Sequence, residues 1–506
     1  MIQDVLSHTG ATGLLIGVLA VVSIAWMWTK SKRSYTQYNI PPFPARPWPI
    51  FGHFFLLRGN VREKFETWRN KAGDIFSFDI AGDHFIFLNS FDVIKEVMVK
   101  HADAIPNTQH NIGNELLKEH DMGIIGARDN NWKEQRTTSL AILRAFGVGK
   151  NILAEKIQEE VSEFVEKLAA FKGKPEDIRL LTNISVSNVI CSIIFGKRFE
   201  YDDPYFKKFM GHLNTVLQYL PNISLVSSFP ILYYVPGDPF NVRKWAKSAI
   251  ETNEVFIKSY IKEFKKNFNE NEEPQNFISA YLQEMKKRSD KKEPNKLDEQ
   301  NLTAIVRTLF IAGTETTSTT ILWCLIYILH HPEVQAKIYK EIETQVGTER
   351  VPTMADKSKL TYLSAVIMET QRFASLVPGA FKREIKSSFE VRGFTFPKGS
   401  HVWPILDSVH FDKKIWGDPQ NFRPERFIDK NGDLIHREEL IPFSIGRRTC
   451  LGESLARMEL YLFLSSLFQR FKFEPADKSG ELPSCTGVFG ATVVPKPFQI
   501  RCVERK

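Results

Sequence analysis

A chain of 506 residues, 43% hydrophobic and 12% aromatic with 39 Phe, has enough apolar material for a large core and an apolar pocket besides. A net charge of +8 and a pI near 9.0 point to an anionic membrane, an acidic protein or nucleic acid as partner. No basic run is interleaved with aromatics, which excludes nucleic acid, and no Cys-x-x-Cys pair occurs among Cys191, Cys324, Cys450, Cys485 and Cys502. These scattered cysteines indicate neither a zinc site nor a disulfide framework, and the domain carrying them is expected in a reducing compartment.

Val5–Thr29 carries no formal charge, and Gly10–Thr29 supplies 20 uncharged residues, about the length that crosses a hydrocarbon core. Trp26 and Trp28 close it as interfacial aromatics do, and Lys30, Lys32 and Arg33 follow. Positive charge behind the segment, with no Lys or Arg in front, predicts a retained single-pass anchor over 1–33 and a cytoplasmic remainder. Pro41 to Pro49 holds five prolines in nine residues, so 34–52 is expected to be a stiff hinge. Residues 53–506 are then the catalytic domain.

Ile75, Phe76, Phe78 and Ile80, a turn at Gly82-Asp83, and Phe85 to Leu88 predict a β-hairpin, and Ser90 is placed to cap a helix through His101. The stretch 107–128 is expected to be largely loop and to serve as a pocket lid, with 213–235 and 485–490 as further pocket loops. Trp132 and Arg136 sit four apart and share a helix face. Residues 150–172, 241–268 and 332–346 are amphipathic helices, and the charged stretch 269–299 is expected to be an exposed connection ending at an Asp298 cap.

Asp298–His330 predicts one helix about 50 Å long, apolar nearly all round and therefore buried. Within it, Ala312-Gly313-Thr314-Glu315-Thr316-Thr317 weakens the helix and predicts a local opening that holds oxygen and water. Thr308, Ala312 and Thr316 share a face, so Thr308, Ile311 and Ala312 are expected to line a substrate pocket. Glu369 and Arg372 stand one helical turn apart, and Pro424-Glu425-Arg426-Phe427 lies downstream. Residues 388–404 alternate and indicate a small β element.

Phe443–Gly452, ahead of an apolar helical run from Leu455 to Phe471, sets Cys450 at a helix N-terminus, which stabilises a thiolate. Gly446 and Gly452 allow a tight loop and a flat ligand against the backbone, and Arg448 suits a carboxylate. A thiolate, a flat face and a carboxylate-seeking arginine suggest haem iron held by cysteine.

The pattern Phe-x-x-Gly-x-Arg-x-Cys-x-Gly resembles the cysteine loop of the cytochrome P-450 superfamily, the haem-thiolate monooxygenases. Trp-x-x-x-Arg, Ala-Gly-x-Glu-Thr-Thr, Glu-x-x-Arg and Pro-Glu-Arg-Phe follow in the family's order, and the anchor with its proline hinge resembles the microsomal members. The resemblance implies a mainly α fold with small β-sheets behind one transmembrane helix, with haem b between the long helix and the Cys450 loop. Cys450 is then the axial ligand; Trp132, Arg136 and Arg448 bind the propionates, and Ala312, Phe443 and Gly452 complete the haem site. Glu315 and Thr316 are the implied catalytic proton relay, and Glu369, Arg372 and Arg426 a structural network. No propionate contact is assigned to Gly379–Arg383.

The implied reaction inserts one oxygen atom from dioxygen into a lipophilic lipid, steroid or xenobiotic at the endoplasmic reticulum membrane. Electrons would come from NADPH through a flavoprotein reductase, with a second small electron-donating cytochrome as a further partner. Exposed Arg447 and Lys133 are expected to dock such an acidic partner. Two other classes are weighed. A haem-thiolate isomerase or dehydratase of a peroxide would not need the Glu315–Thr316 pair, and a haem sensor or carrier would not need an open distal pocket.

Overall fold

A computed structural model of the chain describes residues 13, 16–24, 37–48, 51–57, 61–147, 151–269, 272–292, 294–477, 481–490 and 492–505. Of the expected anchor, residues 16–24 are helical, with Ile16, Val18, Leu19, Val21 and Val22 more than half exposed. Trp26, Trp28 and the basic residues behind them lie outside the described residues. The chain divides into two compact units, Met1–Gln109 with Gly379–Ser408, and His110–Pro378 with Val409–Lys506.

The first unit is built on a five-stranded sheet. Its strands are β1 (Ile75–Ile80), β2 (Asp83–Leu88), β3 (Asn107–Thr108), β4 (Arg383–Glu384) and β5 (His401–Pro404), in the order β1-β2-β5-β4-β3. The hairpin registers Ile75 with Leu88 and Ile80 with Asp83, so its turn is Ala81-Gly82, one residue before the expected place. Both turn residues have positive φ, 55° and 85°, as a tight two-residue turn matched to strand twist requires. Phe76, Phe78, Phe85 and Phe87 pack with Phe65 and Trp68 into this unit's core.

The proline stretch is held from within the same unit. His53, fully buried, stacks between Phe43 at 5.2 Å and Phe78 at 4.6 Å. Its Nε2–H donates to the Ala45 carbonyl at 2.9 Å while Nδ1 accepts from the Asp79 amide at 2.9 Å, so both ring nitrogens are used. Ser90 precedes the helix Phe91–Lys95 but makes no side-chain cap bond, and the helix widens into a π turn at Glu96–Lys100. After Pro378, Lys382 lies over the Trp403 ring at 4.4 Å and the Phe85 ring at 5.0 Å, and burial pushes its ammonium down to about 8.

The second unit is helical. Five helices position the site: α1 (Asp129–Ala145), α2 (Arg179–Ile194), α3 (Glu299–His330), α4 (Thr361–Ala374) and α5 (Glu453–Arg470). Asp298 caps α3 by accepting from the Asn301 amide at 2.7 Å, as expected. A small sheet has Ile500–Glu504 between Pro175–Glu176 and Phe471–Pro475. α3 is apolar and long enough to cross a membrane, but 67% of its most apolar window is buried inside the protein, so it is a core helix.

Three expectations are corrected. The stretch 269–299 contains a helix, Phe277–Asp290, capped by an Asn276–Ser279 box; its stripe of Phe277, Ile278, Tyr281 and Leu282 is buried but diluted by charges in sequence. The supposed pocket loop 213–235 belongs largely to the helix Pro204–Ser228, which runs through Pro221. α3 does not open at Gly313. It stays helical because Gly313 lets α2 come close: a Cβ there would stand 2.5 Å from Ile190 Cδ1. The stretch 107–128 is largely loop, apart from β3 and the short helix Ile112–Leu116.

Candidate active site

The cysteine loop is closed by its own backbone. Ser444 N–H donates to Ile441 O at 3.0 Å, Thr449 N–H to Gly446 O at 3.2 Å, and Cys450 N–H to Phe443 O at 3.0 Å. Gly446 has φ 86°, a conformation that L side chains rarely adopt, so glycine is required there. Gly452 has an ordinary φ of −90°, and its role is different. A Cβ at 452 would meet only the Cys450 sulfur, at 4.0 Å, so glycine leaves the space beside the thiol open to a flat group.

Cys450 is exposed, although the protein around it is dense enough to desolvate its thiol. Burial pushes the thiol up, against the direction expected from a helix N-terminus alone. The Gly452 and Glu453 amides and the Arg136 charge pull it back only in part, while Glu453's carboxylate adds to the rise. A coordinated metal ion deprotonates a thiol outright, so the amides aimed at the sulfur suit a thiolate ligand.

α1 brings Trp132 and Arg136 beside this loop. Arg136 donates to Thr449 O at 2.9 Å, and Arg448 stacks on the Trp132 ring at 4.3 Å. Arg448 also donates to the carbonyls of Ala127, at 2.8 Å, and Ile125, at 3.3 Å. The Trp132 indole N–H is buried without a hydrogen-bond partner. Leaving such a donor unsatisfied costs about 1–3 kcal/mol, so it asks for an acceptor such as a carboxylate. Trp132, Arg136 and Arg448 thus fit a carboxylate-bearing planar group whose face lies against Gly452.

Midway along α3 the burial breaks on one face. Thr308, Ile311 and Thr316 are part-buried and Ala312 is exposed, whereas Phe310, Thr314, Thr317 and Ser318 are buried. Ile311 joins an apolar cluster with Val216, Ile223 and Trp245, against which Ile112 and Leu116 of the 107–128 stretch also pack. The Thr316 hydroxyl donates to the Ala312 carbonyl at 2.6 Å. Glu315 lies 3.4 Å from the Thr319 hydroxyl; burial pushes its carboxyl up, while Thr319, Thr492 and the more distant Arg179 oppose the shift.

Glu369 accepts from Arg372 at 2.7 and 2.8 Å, from Arg426 at 3.1 Å and from the Arg423 amide at 2.8 Å. Arg372 also donates to the His410 and Pro419 carbonyls, and Arg426 to Trp416 O, so the three side chains bind the chain segment 410–426 to α4.

Two groups of residues escaped the sequence reading. Glu119 forms a bidentate pair with Arg307 of α3 and accepts from Asn253 at 3.0 Å, while Gly123 N–H donates to Asn301 at 2.9 Å. These bonds fasten the lid stretch to α3, and nothing in local spacing announces them. Glu459 of α5 is buried and accepts from the Thr317 hydroxyl at 2.9 Å. Its signal was legible as a lone acid inside the apolar run Leu455–Phe471.

A helical fold with an accessible cysteine just ahead of a helix, and an unsatisfied buried indole N–H beside two arginines, fits a haem-thiolate protein. The chain belongs to the cytochrome P450 family, which it matches over residues 41–502. It is 35% identical to cytochrome P450 2U1 of Bos taurus, over 99% of this chain and 95% of that protein. Identity is also 35% to the Homo sapiens cytochrome P450 2U1, over 99% and 95%, and 33% to cytochrome P450 2D9 of Mus musculus, over 98% of each. The protein is accordingly a haem-thiolate monooxygenase, with haem b held through a cysteine thiolate as cofactor.

Proposed function

We propose that this enzyme inserts one oxygen atom from dioxygen into a lipophilic substrate, a lipid, steroid or xenobiotic, with electrons from NADPH delivered by a flavoprotein reductase. A second small cytochrome is a further donor, and exposed Arg447 and Lys133 support an acidic partner at the cysteine-loop side. Residues 53–506 form one catalytic domain on the cytoplasmic side of the endoplasmic reticulum membrane, anchored by a single span within 1–33. The exposed apolar residues of 16–24 support that anchor.

Cys450 is the axial ligand; Trp132, Arg136 and Arg448 hold the propionates, with Phe443, Gly452 and Ala312 completing the haem site. The haem, when bound, supplies dioxygen activation and oxygen transfer. Thr308, Ile311 and Ala312 form the pocket floor under an apolar roof, which excludes water and selects by lipophilicity. Thr316 donates its own proton to Ala312 O, so its lone pairs accept from a water in the pocket. Glu315, whose carboxyl burial pushes up, is the acid that refills that water.

The observation that carries this reading is the accessible Thr308–Ala312–Thr316 face on a largely buried helix, with an acid beside it whose carboxyl burial pushes up. Thr316→Ala tests it. Haem content, the carbon-monoxide spectrum and substrate binding should stay close to those of the parent, while product per NADPH falls and hydrogen peroxide rises. General acid catalysis of this kind is worth about 10²–10⁴-fold in rate. Undiminished coupling in Thr316→Ala would remove the relay; a peroxide isomerase would show no NADPH use in either protein.

A further inference from the structure

We propose that Glu459 is a positioning residue for oxygen activation: its carboxyl, buried between α5 and α3, pins the Thr317 hydroxyl and thereby orients Thr316 one residue earlier. The inference rests on the relay role given to Thr316 above.

Consecutive residues on an α-helix point about 100° apart, since 3.6 residues make a turn. Thr317 therefore faces into the packing when Thr316 faces the pocket, and Thr317 is 2% exposed whereas Thr316 is part-buried. A hydrogen bond of 2.9 Å from Thr317 Oγ1 to Glu459 Oε2 fixes the rotation of α3 about its axis at that step. One turn earlier and about 60° round the same buried face, Thr314 is bonded to Ser187 of α2 at 3.0 Å, so two neighbouring helices hold the segment. The helix that carries Glu459 starts at Glu453, three residues after Cys450. One rigid element thus holds the cysteine loop at its start and the relay segment two turns on.

The chemistry at Glu459 argues that this is more than packing. The side chain is 1% exposed, Oε2 has only the Thr317 hydroxyl, and Oε1 has no protein partner. A buried carboxylate without a cation is costly, and a fold that needed only to fill this volume would do better with leucine or methionine. Burial, opposed only by the Thr317 hydroxyl, pushes the carboxyl up to about 8, so it is a neutral acid at neutral pH. A neutral acid holds a hydroxyl in place without placing a charge beside the haem pocket.

The test compares Glu459→Gln, Glu459→Leu and Thr317→Val in full-length holoenzyme, alongside Thr316→Ala. Product per NADPH is measured on the fraction that keeps the thiolate carbon-monoxide band, so lost folding is not scored as lost coupling. Glu459→Gln keeps a hydrogen-bonding group of the same shape and should couple within about twofold of the parent. Glu459→Leu and Thr317→Val should each lower coupling by about three- to tenfold, the worth of one hydrogen bond, and the double variant no further.

Independently of turnover, the infrared band of a protonated carboxyl should be lost in Glu459→Gln and shifted in Thr317→Val. Thr317→Val, which is isosteric, keeps the test alive if the leucine variant fails to fold. Full coupling in both Glu459→Leu and Thr317→Val, with coupling lost in Thr316→Ala, would overturn the positioning role alone. Full coupling in all three, Thr316→Ala included, would overturn the relay and this inference with it.

Discussion

Two glutamates, both buried to within 1% of complete, sit on packed helices of the same unit and have opposite surroundings. Glu369 of α4 receives two guanidinium groups and a backbone amide, and the guanidiniums' remaining N–H groups go to carbonyls of the 410–421 segment and to the Asp418 carboxylate. Glu459 of α5 receives one hydroxyl and no cation. The first is part of an ionic cluster bonded on every side, which behaves as scaffold: remove one member and a charge is stranded. The second is tolerated only with its proton on, and it joins the cysteine-loop helix to the oxygen-motif helix. Burial alone therefore does not distinguish a structural acid from one near the chemistry; the partners do.

The comparison breaks most visibly at Arg372. Arg372→Ala leaves Glu369 buried with Arg426 as its one cation and should cost about 3–5 kcal/mol, read as a large fall in Tm and in recovered holoprotein. A Tm equal to the parent's would show that the cluster does not carry the 410–426 segment.

Glu459 should give an effect that changes with pH. A glutamate in an unfolded chain titrates near 4.3, so between there and about 8 the folded protein holds a proton that the unfolded chain releases. The stability this proton confers is complete below about pH 4 and is lost as pH rises through that window. Glu459→Gln removes the dependence. Its stability should therefore gain on the parent's from pH 5 to pH 8, by at most about 1.4 kcal/mol per pH unit, and the gap should be constant above that. Parallel curves for parent and variant across pH 5–8 would mean that Glu459 is ionised in place, like Glu369.

The smallest effect belongs to a pair with neither burial nor a network. Lys258 donates to Glu254 at 2.6 Å, with the two side chains 47% and 54% exposed. Lys258→Ala should cost about 0.3–0.5 kcal/mol, and the difference from the parent should vanish in high salt. A loss approaching that of Arg372→Ala would remove the distinction between buried and solvated ion pairs drawn here.

What the sequence made legible was local. The hairpin from Ile75 to Leu88, the Asp298 cap and the long buried helix follow from alternation, capping chemistry and apolar periodicity, each decided within a few residues. The cysteine loop was legible because five residues in ten positions are fixed by one task. The errors came where tertiary packing overrides local preference. Gly313 and its threonines read as a weak point in the helix, yet α2 fills that side and the Thr hydroxyls satisfy carbonyls one turn back. The loop expected over 213–235 is largely a helix that continues through Pro221, and the Phe277–Leu282 stripe was masked by the charges around it. The burial that pushes the Cys450 thiol up, against the pull of the helix N-terminus, is likewise a tertiary effect that the sequence does not display. Glu119 with Arg307 and Glu459 with Thr317 join residues 188 and 142 positions apart, which no spacing rule reaches.

Cys450 as the haem ligand is tested most directly by the carbon-monoxide difference spectrum of the reduced holoprotein. The parent should show the red-shifted band of thiolate ligation, and so should the serine variants of Cys191, Cys324, Cys485 and Cys502. Cys450→Ala should yield apoprotein or weakly held haem without that band. An intact thiolate band in Cys450→Ala would contradict the assignment and, with it, the reading of the cysteine loop as part of the active site.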